Sequence, residues 1–337
     1  MAVLRSAIIG CGNIGGLCDG PEDERIISHA HAYSVHSNFR LVAACDVNSK
    51  SLSKFGQKWG EDIELFGDCE EMLDEIRPEA VSVAVGTAYH AEMLYKVLSH
   101  PSPRLIVCEK PLVETMAELD ELDCLLRSVP DKTLMINYQR AWDPGFAVVQ
   151  KAIADDSLGR PLSFYGTFSK GLYHNGCHLL ELLDRMFEGI AVVRPLSLER
   201  AGDDFAGQFQ VTARRCTGQL VSMTSHRYWR TDLDVFCEGG MIRLGDSGHR
   251  IEFHRPRDWP LYEGDHLLHL EETLPDTLCK SMYHTLQAGY RIHSTGRENE
   301  TLKRHLVFSR KLLRILEGLE LGKAELTFEN DMEVITA

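Results

Sequence analysis

Apolar and polar positions change rhythm along the 337-residue chain. Up to about residue 140, short apolar runs alternate with amphipathic stretches. "SAIIG" is followed by a helical segment, "RLVAACD" by "SKSLSKFGQKWG", "EAVSVAVGT" by "AYHAEMLYKVLS", and "RLIVCEKP" by "ETMAELDELDCLLRS"; "TLMINYQR" closes the series. This rhythm predicts βα units around a parallel sheet.

Beyond residue 140 the pattern shifts. "DPGFAVVQKAIADDSLG" reads as one helix, with Asp143 as N-cap and Pro144 at the first helical position. Then "PLSFYGTFSK", "IAVVRPLSLE", "GQFQVTARR", "GQLVSMTSH" and "LDVFCEGGMIRL" carry strand-like, partly alternating patterns. They predict a largely antiparallel sheet whose second face is exposed or covered. Helices are expected around 269–284 and 300–318, able to pack on either domain. The predicted class is α/β: an N-terminal domain over 1–140 and a C-terminal domain over 141–337.

Charge and cysteine usage narrow the function classes. A formal net charge of −14 argues against a broad basic surface for nucleic acid. The 10 Cys are scattered, with no close C-x-x-C pair, which fits single reduced thiols better than a disulfide framework. The N-terminus runs directly into the first strand, and no apolar run is long enough to span a bilayer. The expected location is the cytoplasm, with no membrane partner.

The first βα junction carries "GCGNIG": Gly10, Gly12 and Gly15, with Asn13 and Ile14 before the last glycine. Directly after a strand, this is the context of a dinucleotide-binding turn. Gly10 permits the tight turn, Gly12 a close backbone approach to pyrophosphate, and Gly15 close packing of the following helix. The plain alternative is a glycine turn over an empty crevice. Asp46 ends the second strand, where an acid accepts hydrogen bonds from the adenine ribose. Its late position implies an insertion and an elongated first helix. With no adjacent Arg, Asp46 favours NAD over NADP, although Lys50 is able to meet a second phosphate from the next turn.

Two further clusters carry chemistry. "VCEKP" places Glu109, Lys110 and Pro111 where a strand ends at the ligand crevice, and Lys110 there can exchange a proton with a substrate hydroxyl. The plain alternative is a salt-bridged Lys in a turn. "SKGLYHNGCHLLELLD" sets His178 in the first turn of an apolar-faced helix, with His174 four residues earlier. If helical geometry extends backward, both rings project to one side; if Asn175 caps the helix, His174 sits in the entry loop. Both are otherwise ordinary packing residues. No third ligand accompanies the H-x-x-x-H pair, so no metal is expected.

In order along the chain, "IIGCGNIG", strand-end Asp46, "VGTAYH", "CEKP", "NYQR" and "GCHLLELL" resemble the Gfo/Idh/MocA oxidoreductases, and with the two-domain layout they cover most of the sequence. The resemblance implies an N-terminal Rossmann fold, a C-terminal α/β domain with a mainly antiparallel open sheet, and NAD as cofactor. It implies hydride transfer at a carbinol or carbonyl carbon of a sugar, sugar nucleotide or cyclitol, in a homodimer or homotetramer. Lys110 corresponds to the active-site lysine and His178 to the motif histidine. Thr87, His90 and Glu109 fall on the cofactor side, with Ala88 where the pattern has proline. Asn137, Tyr138 and Arg140 resemble the segment entering the cleft. Members often carry Asp at the place of His174, so this ring is expected to tune or relay the proton. Arg140 and Lys170 are expected to contact substrate anions. "GLYHNG" points towards surface-polysaccharide or unusual-sugar synthesis. The alternatives are a NAD-assisted epimerase, lyase or glycoside-cleaving enzyme, and a non-catalytic NAD- or sugar-binding regulator.

Overall fold

In the computed structural model, which describes residues 3–224, 227–296 and 299–328, the chain forms two compact units. One comprises Met1–Trp142 and Cys279–Ser309, the other Asp143–Leu278 and Arg310–Ala337.

The apolar runs of the first unit become six parallel strands. They are β1 (Leu4–Ile9), β2 (Phe39–Cys45), β3 (Glu64–Phe66), β4 (Ala80–Val83), β5 (Leu105–Cys108) and β6 (Thr133–Ile136). Their order is β3-β2-β1-β4-β5-β6, every neighbouring pair parallel. Every residue of β4 and β5 is buried, as a strand covered on both faces requires. The order reverses between β1 and β4, so a ligand crevice is expected outside their carboxyl ends. Helices α1 (His29–Val35), α2 (Ser49–Trp59), α3 (Cys69–Ile76), α4 (His90–Ser99) and α5 (Met116–Ser128) complete the crossovers. Side chains of Ser28, Asn48, Asp68 and Thr115 cap four of them, and Thr115 with Glu118 forms a reciprocal capping box. The three-residue edge strand β3 is too short to carry a pattern.

The expected elongated first helix is absent. A π-helical turn over Asn13–Leu17 is followed by an excursion, and α1 begins only at His29. The excursion is tied down by its own polar groups. Buried Asp19 accepts N–H groups of Ile27 at 2.7 Å and Ser28 at 2.9 Å, and the Ser28 hydroxyl. Lys58 Nζ donates to the carbonyls of Leu17 and Asp19, and Trp59 Nε1 to that of Gly16. A helix continuing from Leu17 would lose these bonds; Ser28 instead starts a new one as N-cap.

The second unit is built on a nine-stranded sheet of β7 (Pro161–Ser169), β8 (Ile190–Ala201), β9 (Asp204–Ala213), β10 (Thr217–Met223), β11 (Thr231–Cys237), β12 (Gly240–Gly245), β13 (Arg250–Asp258), β14 (His266–Leu274) and β15 (Leu326–Thr327). The order is β14-β13-β12-β11-β7-β10-β9-β8-β15, antiparallel except between β7 and β10. Helix α6 (Pro144–Ala154) begins on Asp143, whose carboxylate accepts from Gly145 N and Phe146 N. Helix α7 (Cys177–Met186) buries Leu179, Leu180, Leu182, Leu183 and Met186. Leu179 packs over Gly166 of β7, beside Leu220 and Leu233. Tyr165, Leu196, Leu198 and Phe236 remain exposed on the strands.

The expected helix at 269–284 is corrected: residues up to Leu274 form the edge strand β14, paired with β13. Leu267, Leu270 and Leu274 mimic helical spacing. His266–Thr273 are all exposed, so no buried face imposes alternation on them. The helix that follows is α8 (Ser281–Thr295), and α9 covers Glu300–Glu320. Residues 279–309 group with the first sheet rather than with the remainder of 141–337. Met282, Leu286 and Tyr290 of α8 share a core with Leu105, Val107, Met135, Tyr33 and Phe39. Gly289 lets α8 lie close: a Cβ there would sit 3.1 Å from Leu105 and 3.2 Å from Met135. Among the described residues no helix is long and apolar enough to cross a membrane.

Candidate active site

The glycine turn is shaped by contacts that exclude side chains at two positions and leave the third open. Gly10 has φ +101°, and a Cβ there would lie 2.6 Å from the Ala84 carbonyl carbon. A Cβ on Gly15 would collide with the Gly10 carbonyl oxygen, while one on Gly12 would meet nothing within 4 Å. The first and third glycines thus close the turn, and the second opens it to a ligand. Asn13 and Ile14 lie in the π-helical turn that follows. Asp46 Oδ2 accepts the N–H of Cys11 at 2.7 Å, and Oδ1 that of Asn48 at 2.7 Å. These two bonds fix the acid beside the glycine turn and use two of its roughly four acceptor positions. An open cradle over Gly12, with a carboxylate at the adjoining strand end, fits the pyrophosphate and ribose of a dinucleotide.

Across the crevice, the segment after β4 forms a single 3₁₀ turn over Thr87–Tyr89, and α4 starts at His90. His90 is buried, with Nδ1 2.8 Å from the Pro111 carbonyl oxygen and Nε2 3.1 Å from that of Val85. It therefore joins the loop after β4 to the loop after β5. Both ring nitrogens face carbonyls inside the protein, so its part is to hold these loops together.

The β5 loop carries Glu109 and Lys110. Glu109 is buried; its Oε1 lies 3.1 Å from His29 Nε2 and accepts Asn137 Nδ2 at 2.6 Å. Thr285 Oγ1 donates to Asn137 Oδ1 at 3.0 Å, so α1, β5, β6 and α8 share one polar chain. Burial pushes the Glu109 carboxyl up, but His29, Asn137 and the nearby Lys110 charge outweigh it and hold the group below the usual carboxylate range. A depressed carboxyl contributes stability above its unfolded pKa and loses it as pH falls through the folded value. Glu109→Gln is expected to cost about 1–3 kcal/mol at neutral pH, with the gap from the parent narrowing below about pH 4. Denaturant unfolding across pH checks this; a gap that widens in acid would reverse the sign.

The residues of "NYQR" separate in role. Asn137 joins the Glu109 chain, whereas Tyr138 is 1% exposed, its ring set edge-on against His305 at 5.0 Å and Phe308 at 5.4 Å. Arg140 is buried as well. For Tyr138 the expected substrate contact gives way to core packing, because an aromatic ring between two others gains more from burial than a rim position would provide.

In the second unit, helical geometry does extend backward from α7. A π-helical turn occupies Leu172–Gly176 and leads directly into Cys177. Asn175 is no cap; its Nδ2 donates to the Ser169 carbonyl at 2.9 Å. His178 is buried at 8% exposure, while the His174 side chain is 48% exposed. His174 Nδ1 lies 2.9 Å from Asp204 Oδ2, a carboxylate from the start of β9. Lys170, in the loop before the turn, holds its ammonium 4.3 Å from the Trp229 ring centre. Among the described residues no group of three or more His, Cys, Asp or Glu is placed to hold a metal ion.

Sequence reasoning did not find His29 or Asp204. Each partners a named site residue across a long stretch of chain, and neither stands in a motif. Asp204 leaves one local trace: Gly171, where a Cβ would collide with its carboxylate.

Residues 4–138 match the family described as an oxidoreductase family with an NAD-binding Rossmann fold, Gfo/Idh/MocA. A D-apiose dehydrogenase of Paraburkholderia graminis is 27% identical over 279 residues, covering 74% of this chain and 70% of that protein. An inositol 2-dehydrogenase of Rubrobacter xylanophilus is 25% identical over 162 residues, 47% of this chain but 42% of that relative's length. A solved oxidoreductase from Agrobacterium radiobacter, in complex with NAD+, L-tartaric acid and magnesium, has the same fold. Its TM-score is 0.72 at 17% identity, covering 97% of this chain and 98% of that one. The reversed strand order, the open glycine turn with its strand-end acid, and the family match agree: residues 4–138 form a Rossmann fold that matches the NAD-binding domain of the Gfo/Idh/MocA oxidoreductase family.

Proposed function

We propose that the protein is a NAD-dependent dehydrogenase acting on a carbinol or carbonyl carbon of a sugar, sugar nucleotide or cyclitol. The observation that carries this reading is Lys110, set beside a fixed, buried carboxylate where β5 ends at the dinucleotide crevice. Bound NAD would supply the hydride acceptor or donor. Gly10, Gly12, Gly15 and Asp46 would hold it. Lys110 exchanges the proton at the substrate oxygen, taking it when a hydroxyl is oxidised and returning it when a carbonyl is reduced; His178 shares that task and His174 relays the proton. Lys170, braced on Trp229, meets a substrate anion. Exposed apolar side chains on the second sheet support self-association as a dimer or tetramer. The names of the D-apiose and inositol dehydrogenases support a polyol or sugar substrate, and "GLYHNG" leads us to surface-polysaccharide or unusual-sugar synthesis as the context.

The test is native mass spectrometry of gently purified protein, then a nicotinamide absorbance assay with a panel of cyclitols, aldoses and sugar nucleotides. NADH formed in proportion to oxidised product supports the dehydrogenase. A retained cofactor that returns unchanged while product forms supports an epimerase or lyase. Failure to bind NAD(H) or NADP(H) overturns the reading in favour of a regulator.

A further inference from the structure

We propose that Asp204 is a positioning residue: it holds His174 with the proton on Nδ1, leaving Nε2 to take up and return the proton. This rests on the function proposed above, and it names the group that sets up the relay.

The geometry is specific to one carboxylate. Asp204 Oδ2 accepts the backbone N–H of His174 at 3.1 Å and lies 2.9 Å from Nδ1 of the same residue. Main chain and ring are tied to one oxygen, which leaves the imidazole little freedom about its two side-chain torsions. Oδ1 accepts Tyr173 N at 2.9 Å and Phe205 N at 2.7 Å. Asp204 is itself 3% exposed. Burial works to raise its carboxyl, but His174 and the N–H groups of Tyr173, His174 and Phe205 prevail and hold it below the ordinary range. An ionised carboxylate only accepts hydrogen bonds, so the nitrogen facing it carries the proton. In the neutral ring the lone pair then belongs to Nε2.

The surrounding chain is built to admit this carboxylate. Asn175 N and Gly176 N both donate to the Gly171 carbonyl, the mark of the π-helical turn, and that turn aims the N–H groups of residues 173 and 174 at Asp204. A side chain at Gly171 would collide with Oδ2 and Cγ of Asp204. Among the described residues, Tyr173 sets its ring edge-on to that of His174 at 5.4 Å, and Cys177 Sγ donates to the His174 carbonyl at 3.7 Å. Neither is a carboxylate able to take over the role of Asp204.

A carboxylate that only capped the turn would stabilise the fold without setting the ring, and two measurements separate the roles. Nitrogen-edited NMR of the histidine side chains in the unaltered protein, with His174 assigned by its loss in His174→Gln, is expected to show a protonated Nδ1 in the neutral ring. A protonated Nε2 with bare Nδ1 overturns the inference, whatever any variant does. In turnover, Asp204→Asn is expected to lower kcat by roughly 10²-fold or more with KM changed by less than about threefold, and Asp204→Asn in the His174→Gln background to add little further. Independent, multiplying losses also overturn it. Should Asp204→Asn fail to fold, the tautomer of the unaltered protein still decides. Failure of the functional reading shows elsewhere, as absence of turnover in the unaltered protein or full turnover in His174→Gln.

Discussion

Lys110→Met is expected to lower kcat by roughly 10²–10⁴-fold while the dissociation constant for NAD stays within about threefold. Met keeps the length and apolar stem of Lys and removes the ammonium, so the change isolates the proton-exchanging group. The loop should survive, because its anchors lie on either side of the substituted residue. Glu109 is held by His29 and Asn137, and the Pro111 carbonyl by His90. Steady-state kinetics on the substrate found in the panel, with calorimetric titration of NAD, checks both halves. Near-normal turnover would remove Lys110 from the chemistry. Lost NAD binding would mean that it serves the cofactor instead.

The glycine turn yields the second large effect, as a contrast between two alanines. Gly15→Ala puts a methyl group against the Gly10 carbonyl oxygen, with the Gly10 carbonyl carbon 3.1 Å away. Backbone cannot swing aside as a long side chain does, so a loss of about 3 kcal/mol or more, or insoluble protein, is expected. Gly12→Ala meets nothing within 4 Å, and its φ of −78° suits any residue. Its stability should stay within about 0.5 kcal/mol of the parent. The methyl would instead occupy the space over the turn, and NAD affinity should fall by about tenfold or more, equivalent to about 1.4 kcal/mol. Thermal unfolding and NAD titration of both variants test the assignment. Unchanged NAD affinity in Gly12→Ala would mean that the open side of the turn faces no ligand.

Much of the first unit is written locally. Continuous apolar runs such as "LIVC" mark buried strands because both faces are covered, and caps such as Asn48 and Asp143 stand next to the helices they start. Glycine spacing and Asp46 were legible for the same reason, since their geometry depends on neighbours in sequence or at the next strand end. What escaped depends on contacts between distant segments. The excursion after Leu17 replaces a long helix because Lys58 and Trp59 bind its carbonyls, and neither residue carries a motif. Strand β14 resembles a helix because its exposed residues are under no pressure to alternate. Tyr138 resembled a cleft residue until His305 and Phe308 arrived from the far end of the chain. His29 and Asp204 reach Glu109 and His174 from 80 and 30 residues away, distances over which one sequence shows no coupling.

The placement of α8 also sets a schedule for the newborn chain. The last strand of the first sheet ends at Ile136, but Tyr290, which completes the packing around Leu105, Val107 and Met135, is 154 residues later (290 − 136 = 154). At a synthesis rate of roughly 5–20 residues per second, the ribosome takes roughly 8–30 s to deliver it. Through that interval a finished parallel sheet waits with part of its apolar side uncovered, while the whole of the second sheet's first eight strands is being made. A nascent chain in that state is a natural client for chaperones, and slow translation through residues 143–278 would lengthen its exposure rather than assist its folding.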